Sequence, residues 1–148
     1  MTERVNTALV PVTGTPLDEV AVGIACDIVK PNRGSVLVLY VIAVPMNLPL
    51  DAEMSLEAAR GERVLQDMER IGKSHKCKVE GEILQARSIG PAVVDEASQR
   101  GADMVVIGAP YLEHFGAPTM GDVVPYLLKY STSPVVVYRG GLDGTRGD

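Results

Sequence analysis

Gly108 and Gly121 bound a loop that lies between an apolar run and a helical segment opened by Asp122. Glycine lets backbone come close to a ligand, and a helix N-terminus offers unpaired N–H groups and the positive end of a dipole. The chemistry this arrangement suits is capture of a phosphate or a similar anion. Other chemistries lack their residues. Of the two histidines, His75 reads as the end of an exposed helix and His114 as part of a loop, so no metal or nucleophile pairing is implied. Gly116 and Gly121 have the separation of a P-loop's outer glycines, but Asp122 and Val123 follow where Lys and Ser or Thr are required. G-x-S-x-G and H-E-x-x-H are absent. Asp95 and Glu96 read as the solvated flank of a helix. No catalytic residue and no metal ligand is assigned, and the chain is not expected to be an enzyme.

Residues 101–139 supply the elements that would hold the glycine loop. An apolar run ends at Gly108, the loop follows, a helix runs from Asp122 to about Tyr130, and a second apolar run follows Pro134. Strand, loop, helix and strand in that order make a βαβ unit. The preceding chain alternates in the same way. Thr7 opens a first strand that ends before Thr13 and Gly14. Thr15, Pro16 and Asp18 then mark a helix start, with a cap, a proline at the first position and a capping box. Leu17, Val20, Ala21, Ile24 and Ile28 predict its inner face, and Gly23 is read as small for close contact with the sheet. Residues 35–44 are apolar nearly throughout, as a central parallel strand should be. A long helix is expected from Asp51 to about Ser74, interrupted by Gly61 and Gly72. A third strand near Cys77 to Leu84 carries alternating charges, an edge pattern. A short helix with Pro91 at its first position ends at Gly101. Five strands and four helices in alternation predict a single doubly wound α/β sheet, with ligands beyond the carboxyl ends of its strands.

The chain has 148 residues, 46% of them hydrophobic, which suits one well-filled core. A net charge of −5 without a basic cluster argues against nucleic acid. The longest apolar run, residues 36–45, is about half a membrane span, and no charged-then-apolar leader precedes it. Neither a signal peptide nor membrane insertion is expected, and a cytoplasmic location is. Cys26 and Cys77 lack C-x-x-C spacing and read as two free, mostly buried thiols in a reducing cytosol. Residues 140–148 hold four glycines and three charged residues and read as a disordered tail after a domain spanning 1–139.

The carboxyl-terminal stretch resembles the universal stress protein family, whose motif is a strand, G-x2-G-x9-G-[S/T], a helix and a short P-V-x-V-V-R-like strand. Gly108 and Gly121 match the first and third glycines, Tyr111 stands at the second, and Asp122 stands at the serine or threonine. The resemblance runs from about Thr7 to Arg139 and includes A-D-M-V-V-I-G. It implies a Rossmann-like parallel sheet of order 3-2-1-4-5, similar to the adenine nucleotide alpha hydrolases. It also implies an adenine and ribose wall of Pro11, Val12, Thr13 and Val41, and a phosphate wall of Gly108, Ala109, Gly121, Asp122 and Val123. The family's ribose-binding aspartate is replaced here by Thr13.

These departures bear on the ligand. A carboxylate about 5 Å from a phosphate charge costs roughly 3 kcal/mol at an effective dielectric of about 20. Unless a magnesium ion bridges the two charges, Asp122 opposes ATP. Alternatively, Asp122 caps its own helix and so supplies the negative charge internally, while Tyr111 and Phe115 fill the space. The reading favoured is a dimeric regulatory or stress-response module with no tightly bound cofactor. The alternative is an adenine-nucleotide switch taking ATP or AMP. The homodimer is expected to form through the fifth strand, Pro134 to Tyr138, whose apolar edge would otherwise be open.

Overall fold

The computed structural model describes residues 4–110, 112–114, 117–119 and 121–141. Tyr111, Phe115 and the greater part of the expected tail lie outside them. Five strands form one parallel sheet: β1 (Thr7–Val12), β2 (Ser35–Ala43), β3 (Lys78–Ala86), β4 (Met104–Ala109) and, numbered seventh in chain order, β7 (Val135–Arg139). Their order is β3-β2-β1-β4-β7, the predicted 3-2-1-4-5. Helices α1 (Pro16–Val29) and α2 (Ser55–Ser74) cover one face, and α3 (Ile89–Gln99) and α4 (Val123–Tyr130) cover the other. The helices divide in this way because side chains alternate along each strand. Ala8, Val10 and Val12 of β1 join the α1/α2 core, while Leu9 joins the α3/α4 core. Asp103, from the A-D-M-V-V-I-G stretch, sets the β1–β4 register, because its carboxylate accepts from the N–H groups of Asn6 (2.9 Å) and Thr7 (3.1 Å).

Several local expectations are corrected. The buried face of α1 is Leu17, Ala21, Val22, Ala25, Cys26 and Val29, while Val20 is 38% exposed. The small residues face the sheet, and Ile24 and Ile28 lie at the margin of the same core. Gly23 faces not the sheet but His75, whose ring would lie 3.2 Å from a β-carbon there. Helix α2 starts at Ser55 rather than Asp51 and runs unbroken through Gly61 and Gly72. Those glycines are contact points with the sheet: a β-carbon at Gly61 would lie 2.7 Å from the Tyr40 ring, and one at Gly72 would collide with Val79. Helix α3 starts at Ile89, two residues before the expected Pro91. The stretch after β4, read as loop, carries an antiparallel pair, β5 (Leu112–His114) and β6 (Ala117–Thr119). Pro118 hid it, since proline is depleted in strands, yet a two-stranded ribbon leaves alternate N–H groups without a ladder role.

Glu96 is not part of a solvated flank, for its side chain is only 13% exposed. It faces Glu82 of β3, and Arg100 bridges the group with contacts of 3.1 Å to Glu82 and 3.8 Å to Glu96. Burial, then hydrogen bonding with Glu96, raises the Glu82 carboxyl above its ordinary range, and Arg100 partly opposes this. Among the described residues no helix is long and apolar enough to cross a membrane.

Candidate functional site

Strands β1 and β4 are paired at two positions, Ala8 with Met104 and Leu9 with Val105. Beyond these the two strands part, although β1 continues to Val12 and β4 to Ala109. The sheet order reverses at this point, and a cavity of about 170 Å³ opens between the strand ends. All nine residues singled out from the sequence line it: Pro11 and Val12 from β1, Thr13 just after it, Val41 from β2, Gly108 and Ala109 from β4, and Gly121, Asp122 and Val123 at the start of α4. A second cavity of about 430 Å³, between the α3 and α4 N-termini, shares Ile89, Asp122 and Val123 with the first. Together they form a strip along the carboxyl edge of the sheet.

The two motif glycines are needed for different reasons. A β-carbon at Gly108 would lie 2.8 Å from the Leu17 carbonyl oxygen, so Gly108 lets β4 pass the first turn of α1. At Gly121 a β-carbon would meet nothing within 4 Å, but φ is +79°, a conformation that L side chains rarely adopt. The first glycine thus serves packing as well as the cavity, and the second serves the backbone turn into α4.

Asp122 stands at the N-cap of α4, yet its backbone is helical (φ −95°, ψ −28°) and its carboxylate makes no cap hydrogen bond. The expectation that it caps its own helix is corrected, because a cap needs extended backbone to bring the side chain over the first free amides. Its charge instead borders both cavities.

Asp18 is the residue the sequence reading placed only in a capping box. Its carboxylate is buried, 4% exposed, and also lines the first cavity. It accepts from the N–H groups of Thr13 (3.2 Å), Gly14 (2.6 Å) and Thr15 (3.1 Å). The turn between β1 and α1 is therefore an anion nest filled by the protein's own carboxylate. Burial raises the Asp18 carboxyl above its ordinary range, and the three backbone bonds pull the other way. Thr13 gives its N–H to Asp18, and its carbonyl accepts from Arg60 at 3.3 Å. Leu39, Ile107 and Val124 form the remaining apolar floor. The signal for Asp18 was its position in T-P-L-D, shortly after the strand end where an aspartate was missing. Among the described residues, no lysine or arginine lines either cavity. The site can enclose a flat apolar group, while two carboxylates face whatever anion accompanies it.

Residues 5–139 match the model of the Universal stress protein family. A search of curated proteins finds no match. Among solved structures, a universal stress protein from Archaeoglobus fulgidus is similar with a TM-score of 0.76 and 17% identity, over 88% of this chain and 96% of that one. Another from Archaeoglobus fulgidus, in complex with dAMP, gives 0.71 and 16%, over 93% of this chain and 98% of that one. One from Arabidopsis thaliana, with AMP bound, gives 0.71 and 18%, over 97% of each chain. At these identities the likeness speaks for the fold.

Proposed function

The chain belongs to the universal stress protein family, and from that premise we propose that it is a dimeric regulatory module whose strand-end crevice no longer holds ATP tightly. The observation that carries this reading is the pair of carboxylates, Asp18 and Asp122, on a cavity that no lysine or arginine lines among the described residues. The first cavity alone, about 170 Å³, is below the ~300–1,000 Å³ usual for small-molecule sites, so a nucleotide would have to extend past Asp122 into the second, about 430 Å³. Pro11, Val41, Leu39 and Ile107 suit an aromatic base, but each added phosphate brings negative charge toward Asp122. Asp122 is exposed, so the penalty at about 5 Å lies between roughly 1 kcal/mol in water and roughly 3 kcal/mol near a protein surface.

The second reading is an adenine-nucleotide switch. It is favoured by the relatives described with AMP and dAMP and by the convergence of all nine expected residues on one cavity. Calorimetry without divalent metal separates the two. The first reading expects adenosine to bind at least as well as AMP, and AMP better than ATP, all weaker than micromolar. ATP binding tighter than AMP, or nucleotide absorbing near 260 nm carried through purification, would favour the switch.

The dimer is proposed through β7, the last strand of the sheet. Its edge lies opposite β4, and Val135 to Tyr138 are only half-buried. A two-fold mate would cover that edge.

A further inference from the structure

Cys26 and Cys77 are far apart in sequence, but the fold brings them to one place. Helix α2 ends in a left-handed turn at Lys76 (φ 54°), and the Cys77 N–H closes it by donating to the Gly72 carbonyl at 2.9 Å. The turn lies against α1. The His75 ring covers Gly23, and its Nδ1 is 3.7 Å from Asp27 Oδ1. Cys26 is on α1 between those two contacts, one turn beyond Gly23, and Cys77 follows His75 by two residues. Cys77 packs against the core cluster that contains Cys26. Cys26 is fully buried and Cys77 is half-buried, so an oxidant reaches Cys77 first. Burial, followed by side-chain hydrogen bonding with Cys77, pushes the Cys26 thiol up to about 12. Cys26 therefore stays protonated at neutral pH and gives up its proton only in the step in which it attacks. The Cys77 thiol donates weakly to the Lys78 carbonyl at 3.7 Å, a contact that costs little to lose.

We propose that Cys26 and Cys77 are a redox-responsive thiol pair, in which a hydroperoxide oxidises Cys77 and Cys26 then closes a disulfide between α1 and the start of β3. In the first step the Cys77 sulfur attacks the terminal peroxide oxygen. The O–O bond breaks, Cys77 becomes a sulfenic acid, and its proton leaves with the alcohol or water released. In the second step the Cys26 sulfur attacks the Cys77 sulfur. The S–S bond forms, the S–O bond breaks, and the hydroxyl departs as water with the Cys26 proton. Two thiols are oxidised and one peroxide is reduced. The disulfide would join the first helix to the edge strand, on the α1/α2 face of the sheet.

Purified full-length protein treated with hydrogen peroxide tests this. Thiol titration in denaturant should fall from two thiols to none. Mass spectrometry should show a monomer lighter by two hydrogens, with the Cys26 and Cys77 peptides linked, and dithiothreitol should restore both thiols. In Cys26→Ser, Cys77 should stop as a sulfenic acid that dimedone labels, with a much higher yield of adduct than in wild type. The proposal is overturned if wild type keeps both thiols under excess peroxide. It is equally overturned if Cys77 proceeds to sulfinic acid without the link, or forms only a disulfide between two chains. The wild-type measurements decide the matter even if Cys26→Ser does not fold.

Discussion

Asp18→Ala should destabilise the protein by about 2 kcal/mol. The carboxylate satisfies the N–H groups of Thr13, Gly14 and Thr15, and each backbone donor left without a partner costs roughly 1–3 kcal/mol when buried. Thr13, Gly14 and Thr15 are exposed residues, so water replaces part of what is lost and the sum stays well below three full penalties. Removing a carboxylate that burial disfavours also returns something. Asp18→Asn keeps one carbonyl acceptor and should lose about half as much. The pH dependence has a definite sign. Because the folded carboxyl is raised above its unfolded value, the folded state holds the proton longer as pH rises. The stability contributed by that proton is fully present below the carboxyl's ordinary value of 3.8 and is lost as pH rises through the folded value. Urea denaturation of wild type and Asp18→Asn across the acidic range should show wild type losing ground to the variant as pH increases. An advantage of wild type that grew with pH in that window would refute the reasoning. So would an Asp18→Ala variant as stable as wild type at neutral pH.

Gly108→Ala should cost about 1–3 kcal/mol in urea denaturation, since the new methyl meets the Leu17 carbonyl backbone rather than a movable side chain. A neutral substitution would mean that β4 and α1 are not so close. Glu96→Gln should lower the Glu82 titration midpoint measured by NMR, because the competing carboxylate is gone while Arg100 remains. An upward movement would show that Glu96 does not act on Glu82. Light scattering at micromolar concentration should give a dimer mass, and a monomer would remove the proposed role of the β7 edge.

The layered fold was legible because local signals agreed with the tertiary result. Residues 36–42 are apolar on both faces, and in the sheet they lie between β1 and β3. The charged strand proved to be an edge for the same reason. What escaped was whatever depends on distant partners. Val20 and Val22 are equally apolar, and the face that α1 buries is chosen by the sheet beneath it. Gly61 and Gly72 look like interruptions until Tyr40 and Val79 are placed against them. The cavity wall was reached through the resemblance to the universal stress protein family, which the spacing of Gly108 and Gly121 had suggested. Asp18 was missed as part of that wall because a capping box accounts for it locally, while its reach back to Thr13 needs the turn's geometry. The Cys26–Cys77 neighbourhood has no sequence signal at all, since it is made by α1 packing against the turn after α2.

The central claim is that a family nucleotide site is opposed here by charge, and calorimetric titration of ATP into wild type and Asp122→Ser tests it most directly. With Asp122 replaced, removal of roughly 1–3 kcal/mol of repulsion should tighten ATP binding by about five- to 150-fold. Adenosine binding should be unchanged, because it carries no phosphate for Asp122 to oppose. If wild type binds ATP tightly and Asp122→Ser weakens it, above all in the presence of magnesium, then Asp122 holds a metal for the nucleotide and the account is wrong.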